Sequence, residues 1–315
     1  MTQSLGADWY QLGTALLRGF PAIVVQDRSG ATALQTLAGD SPASVLELIE
    51  CWPTWEDRVE SQLDDSARRE LDPVRLEWLP PVMPRKLICI GANYGEHNRE
   101  MLGTLTAANP HSFFKPPTTA LVGSGRAIAM PEHAEKIDYE AELAVVIGRR
   151  AYRVAGEDVL DYVFGYSVLN DISARDWVAE KSPLGPNWTM AKGFNESAPM
   201  GPWITPAKFV RDPQHLDIKL SVNGTMKQSS NTSEMIFTVA QVIEHLAGVM
   251  ALEPGDVIAT GTPAGVGAGR KPPEFLQPGD EIRVEIEGLG VLETRIAGSD
   301  GSGSRAAVVS TEARR

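Results

Sequence analysis

A chain of 315 residues, 43% hydrophobic and 22% charged, has ordinary globular composition and suffices for one large domain or two smaller ones. Its net charge of -12 argues against a nucleic-acid groove, which needs a basic stripe, but not against an anionic substrate where a metal reverses the local sign. Two cysteines, no basic-then-apolar leader and no apolar run of membrane-spanning length point to a cytoplasmic protein without a disulfide framework or a membrane partner.

Phe20–Leu37 reads as two short strands around an Arg-Ser-Gly turn. From Ser44 to about Arg69 the pattern is helical, with Ser44 as N-cap, Val45, Leu46, Leu48 and Ile49 on one apolar face, and Pro53 as a kink or interruption. Asp72–Lys86 is proline-rich connecting sequence, which places a domain boundary within residues 75–84. Residues 1–80 then form a small α+β accessory domain, 81–297 the larger domain, and 298–315, opening with Gly/Ser composition, a disordered tail.

The larger unit opens with a strand, KLICIGANY, followed by YGEHNREML as a short helix or mobile loop. Strand patterns recur at AIAMP, ELAVVIG, VFGYSVLND, DIKLSVNG, DVIATG, DEIRVEIEG and GVLETRIA. One helix interrupts, TVAQVIEHLAGVM, with Thr238 as its cap. The fold class is α+β and β-rich, a sandwich or barrel with a few helices.

KIDYEAELAVVIG sets two glutamates at the mouth of a buried strand. Side chains two apart in a strand share a face, so Glu140 and Glu142 stand about 6–7 Å apart and repel. Asp171 ends another apolar strand at a separation that allows adjacency. Three carboxylates at strand ends suit a hard, oxygen-preferring dication such as Mg²⁺; no H-x-x-x-H or C-x-x-C pattern calls for zinc. From spacing alone, a solvated strand face is the more frequent meaning of Glu-x-Glu, because buried carboxylates are rare.

The ordered blocks GANYGEHNREM, FFKPPTTALVGSG, DYEAELAVVIG, GYSVLNDISARD, KGFNESAPMGP, NGTMKQSSNTSEMIF and PGDVIATGTPAGVG resemble the fumarylacetoacetate hydrolase superfamily from about Leu87 to Ile296. The resemblance implies a mixed β-sandwich roll with an N-terminal accessory domain, and often a homodimer. It implies Mg²⁺, Mn²⁺ or sometimes Ca²⁺ held by Glu140, Glu142 and Asp171, against the bland reading of Glu-x-Glu. The implied substrates are small 2-oxo or 1,3-dicarbonyl acids.

By the same resemblance, His97 and Glu100 are a water-activating pair under a lid, and Lys192 stabilises an enolate or substrate carboxylate. A carboxylate that orients imidazole and raises its basicity makes chemical sense of the pair. Lys115 and Thr262 are candidate substrate-binding residues, with structural roles as their alternatives; Tyr94 is a candidate for the entrance or else core. Val178 stands where many hydrolase members have Gln, Asn195 where Asp is common, and Ala92 where a larger residue is usual. Substrate selection is expected from the segment after Met101 and from 178–188.

The expected activity is hydrolysis of a C–C bond in an acylpyruvate-like 1,3-diketo acid through a metal-bound enolate. The alternatives are decarboxylation or isomerisation of a 2-oxo diacid in aromatic catabolism, and a non-catalytic small-molecule binder.

Overall fold

The computed structural model describes residues 9–38, 40–61, 63, 71–103, 108–178 and 183–297. The expectation for the tail, 298–315, lies outside the described residues.

Tyr10–Leu17 and Phe20–Asp27 form a hairpin closed by Arg18 and Gly19, both at positive φ. Two left-handed residues give the turn twist that matches paired strands. Gly30–Ala33 adds a third strand across the expected Arg-Ser-Gly turn. The Tyr10–Leu17 strand goes beyond the sequence reading, which began at Phe20. It pairs with Trp203–Pro206 through Leu12↔Ile204 and Gly13↔Trp203. A side chain at Gly13 would place its Cβ 2.8 Å from the Pro202 carbonyl oxygen, so this close pairing depends on glycine.

Ser44 caps Val45–Glu50 by accepting from the Glu47 amide, and a second helix runs Trp52–Glu60. Pro53 sits in the first turn of the second helix, where no intrahelical N–H is needed. It therefore begins a helix rather than kinking one.

A ten-stranded sheet runs from Gly30–Ala33 through the N-terminal hairpin and Trp203–Pro206 to Val163–Asn170 and Ala141–Ile147. It continues through Val257–Ala259 and Leu87–Gly91 to His111–Lys115. The two central strands, Ala141–Ile147 and Val163–Asn170, are buried at every position, as expected where both faces are covered.

A five-stranded sheet covers one face. Its Glu281–Ile286 strand alternates exposed and buried residues, so Ile282, Val284 and Ile286 point inward. These pack in one core with Leu143, Val145, Tyr166 and Val168. The Val239–Val249 helix, with a capping box between Thr238 and Gln241, adds Val242, Ile243 and Leu246 to that core. On the other face, Ala144, Val146 and Leu169 pack with Leu12, Ile23, Leu48 and Ile49. The architecture is the expected β-rich α+β sandwich. Among the described residues no helix is long and apolar enough to cross a membrane.

The central pairing also positions the acids. Ala141 lies opposite Asn170, so the start of one strand meets the end of the other. The next backbone hydrogen bond joins the Asp171 amide to the Glu140 carbonyl at 2.9 Å.

Candidate active site

Glu140, Glu142 and Asp171 are buried, and each offers an oxygen such that all lie within 4.8 Å of one another. Strand alternation supplies the first two, and the antiparallel register supplies the third.

Cations surround them. Lys192 Nζ lies 2.5 Å from Glu140 Oε2 and 2.7 Å from Asp171 Oδ2. Arg175 reaches Glu140 Oε1 at 2.5 Å and Asp138 Oδ2 at 2.9 Å. Asp138 also accepts from the amides of Gly267 at 2.7 Å and Ala268 at 3.0 Å, which fastens the glycine-rich turn to the charged cluster. Lys115 donates to Asp171 Oδ1 and to the carbonyls of Ile172 and Ser197 at 3.1 and 2.7 Å.

Glu142 stands apart. It accepts from the Gly261 amide at 2.8 Å, and no ion pair joins it to a described cation. Burial, followed by the charges of Asp171 and Glu140, pushes its carboxyl well above the usual range. Burial acts on Glu140 in the same sense, but Lys192 and Arg175 outweigh it and hold that carboxyl at about 2. Four buried carboxylates, Asp138 included, thus face three buried cations. The mismatch falls on Glu142, where three hard oxygen donors converge. A divalent cation fits this donor set and this charge.

The Gly95–Leu102 helix carries His97 and Glu100 one turn apart. His97 Nδ1 lies 3.9 Å from Glu100 Oε2, beyond hydrogen-bond range. The same Glu100 oxygen accepts from the Gly265 amide at 3.0 Å. Burial raises the Glu100 carboxyl, but His97, the Gly265 amide and Arg270 outweigh it, and the net shift is downward. Gly269 makes room for this carboxylate, since a Cβ there would lie 2.2 Å from Glu100 Cδ.

A cavity of about 130 Å³ opens on the cluster. His97, Glu140, Glu142, Asp171, Lys192 and Thr262 all line it. Thr262 Oγ1 accepts from Gln228 Nε2 at 2.8 Å. Glu100 stands behind His97 and off the cavity wall.

Lys115 and Tyr94 do not line the cavity. Lys115 is buried with its ammonium turned to protein acceptors, and Tyr94 packs in the core with Met235 and Val239. Arg175, Asp138 and Gln228 were missed as site residues. Arg175 had a signal, standing four residues after Asp171 within the quoted SARD block; Asp138 and Gln228 had none short of the fold.

Met101, Leu102, Val178 and Trp188 line the cavity, at the ends of the segments expected to select substrate. Residues 104–107 and 179–182 of those segments lie outside the described residues. Phe113 stacks on Trp188 with ring centres 5.3 Å apart, whereas Trp177 packs against the main core.

The family model described as fumarylacetoacetate (FAA) hydrolase C-terminal matches residues 86–297. An oxaloacetate tautomerase, mitochondrial, of Xenopus laevis is 36% identical over 279 residues, which is 88% of this chain and 86% of the relative. The structure of a fumarylacetoacetate hydrolase from Exiguobacterium antarcticum superposes with a TM-score of 0.79 at 33% identity, covering 92% of this chain and 99% of that one. A maleylpyruvate hydrolase structure from Sphingobium gives a TM-score of 0.74 at 28% identity, over 91% and 99%.

Proposed function

The chain belongs to the fumarylacetoacetate hydrolase family, and from that premise we propose that it is a divalent-metal-dependent hydrolase cleaving a C–C bond in an acylpyruvate-like 1,3-diketo acid. The observation that carries the reading is the shared cavity. Three buried carboxylates with one unmatched charge face the same small space as an imidazole backed by a carboxylate.

Glu140, Glu142 and Asp171 would hold Mg²⁺ or Mn²⁺, with Ca²⁺ as a further possibility, and the ion would supply a Lewis acid for the substrate's 2-oxo-acid oxygens. The remaining steps belong to the chain. His97 takes a proton from water, and Glu100 beside Nδ1 favours the imidazolium that results. The hydroxide adds to the distal carbonyl carbon. The bond between that carbon and the neighbouring methylene then breaks, releasing a carboxylic acid and leaving its electron pair as the enolate of pyruvate. Lys192, between Glu140 and Asp171, keeps a positive charge beside the developing enolate. The enolate carbon takes up a proton to give pyruvate. Thr262 Oγ1 accepts from Gln228 and faces the cavity, which leaves its hydrogen to donate to a substrate carboxylate.

A second reading is favoured by the Xenopus relative, a tautomerase similar over most of this chain. Isomerisation or decarboxylation of a 2-oxo diacid would use the same acids and Lys192 without water attack. A non-catalytic binder is a third reading, against which the His97 and Glu100 pair speaks. The accessory unit at 1–80, the homodimer and cytoplasmic residence belong to this proposal; the Xenopus relative is mitochondrial.

The test is an absorbance assay with acetylpyruvate, fumarylpyruvate and oxaloacetate, with Mg²⁺ and after chelation, with product identification. Metal-dependent loss of the diketone band with stoichiometric pyruvate supports the hydrolase. Enol–keto conversion or CO₂ release from oxaloacetate, without diketone cleavage, moves the assignment to the second reading.

A further inference from the structure

Three short helices border the cavity, and each presents both a polar and an apolar residue to it. The Gly95–Leu102 helix offers His97 and, one turn on, Met101. The Arg175–Val178 turn offers Arg175 and Val178, three apart. The Trp188–Lys192 helix offers Lys192 and Trp188, four apart. Residues three or four apart lie on one helix face, separated by about one turn, ~5 Å along the axis.

The polar members sit at the acids. Arg175 and Lys192 bond Glu140 directly, and His97 lines the same cavity as this carboxylate. Their apolar partners therefore form a wall about one turn away, which Ile90, Leu102 and Phe113 complete. Among the described residues these wall positions carry no cation of their own, and Arg175 and Lys192 are drawn to the acids. Arg175 commits Nε and Nη2 to Asp138 and Glu140, and Lys192 commits Nζ to Glu140 and Asp171.

We propose that the end of the substrate distal to the 2-oxo acid is small, apolar and uncharged, and that Val178 is a specificity-determining residue for it. The inference rests on the reading that the 2-oxo-acid end sits at the three carboxylates. At about 130 Å³ the cavity is small beside the roughly 300–1,000 Å³ of drug-sized sites, which favours a short acyl chain. A distal carboxylate would lose its hydration against Val178, Met101 and Trp188 and gain no cationic partner among the described wall residues.

The test compares two acids that share a 2-oxo-acid end and a five-carbon chain but finish in a methyl or a carboxylate. Isothermal titration calorimetry on the full chain with Mg²⁺ measures 2-oxopentanoate against 2-oxoglutarate. The expected result is binding of 2-oxopentanoate on the order of 30-fold tighter or more, the scale set by an unpaired buried charge. In Val178→Lys, which retains Mg²⁺ binding, the gap narrows to a few-fold or reverses, because the new ammonium pairs with the distal carboxylate. Equal or tighter binding of 2-oxoglutarate by the unaltered chain overturns the inference alone. An unchanged ratio in Val178→Lys removes Val178 from it. Binding of neither acid overturns the placement of the 2-oxo-acid end, and the inference with it; failure to cleave any diketone, with the binding preference intact, overturns only the hydrolase reading.

Discussion

Glu140 and Asp171 are joined twice. The Asp171 amide donates to the Glu140 carbonyl at 2.9 Å, and Lys192 bridges their carboxylates at 2.5 and 2.7 Å. Backbone and side chain thus hold two acids from different strands in one geometry, while Glu142 beside them is ion-paired to no described cation. This asymmetry distinguishes the expected behaviour of the three carboxylates.

Glu142→Gln should cost metal affinity without costing fold. The amide keeps the shape and its acceptor for Gly261, and removes the unmatched charge. Mg²⁺ affinity, measured by calorimetry, should fall more than about 100-fold, the upper end for changes outside the ligand set. The melting temperature in chelator should hold or rise. A large fall in chelator would show that the Glu142 charge is already compensated within the protein.

Lys115→Ala should act on stability first. It strips Asp171 of one buried partner, takes the ammonium from the Ile172 carbonyl, and leaves the Ser197 carbonyl with the Ile172 amide as its donor. Removing one member of a buried pair costs about 3–5 kcal/mol. Urea unfolding should register a loss of that order, and a change under 1 kcal/mol would contradict the network.

His97→Ala should lower kcat by roughly 10²–10⁴, the range for a lost general base, with Mg²⁺ affinity unchanged. Gly269→Ala should reduce turnover without touching a metal ligand, because the added methyl occupies the Glu100 carboxylate's place. Full activity in Gly269→Ala would mean that Glu100 need not stand behind His97.

The pH dependence follows from Glu100. Its folded carboxyl titrates below its ordinary value, so the ionised form is favoured by folding. Its contribution is complete above the unfolded value of about 4.3 and is lost as pH falls through the lower folded value. The stability difference between the unaltered chain and Glu100→Gln should therefore be largest above about pH 5 and shrink in acid. A difference flat from pH 3 to 7 would show that Glu100 is not held down by its neighbours.

The period of two in Glu140 and Glu142, the apolar strands around them, the Thr238 cap and the ordered blocks were legible because each is local or a direct pattern match. Tyr10–Leu17 and Trp203–Pro206 were not: Tyr10–Leu17 closes a hairpin through Arg18-Gly19, which lacks the usual Asn-Gly or Asp-Gly signal, and Trp203–Pro206 is held by Tyr10–Leu17 and Val163–Asn170, partners distant in the chain. Lys115 shows the limit on side chains. Its block was recognised, but that the ammonium faces Asp171, Ile172 and Ser197 depends on three distant backbone positions.

The sequence by itself determined the family and the two strand-borne glutamates with Asp171, because ordered blocks and the strand period place neighbours without reference to the rest of the chain; the segment with His97 and Glu100 it left as a helix or a loop, and the structure makes it a helix. Only the tertiary structure decided that Arg175 and Lys192 leave Glu142 the unmatched charge, that Lys115 and Tyr94 lie off the cavity, and that an apolar wall stands one turn from the acids. Charge balance and cavity shape depend on which distant groups exclude water from one another, and that is set when the two sheets and the short helices close together.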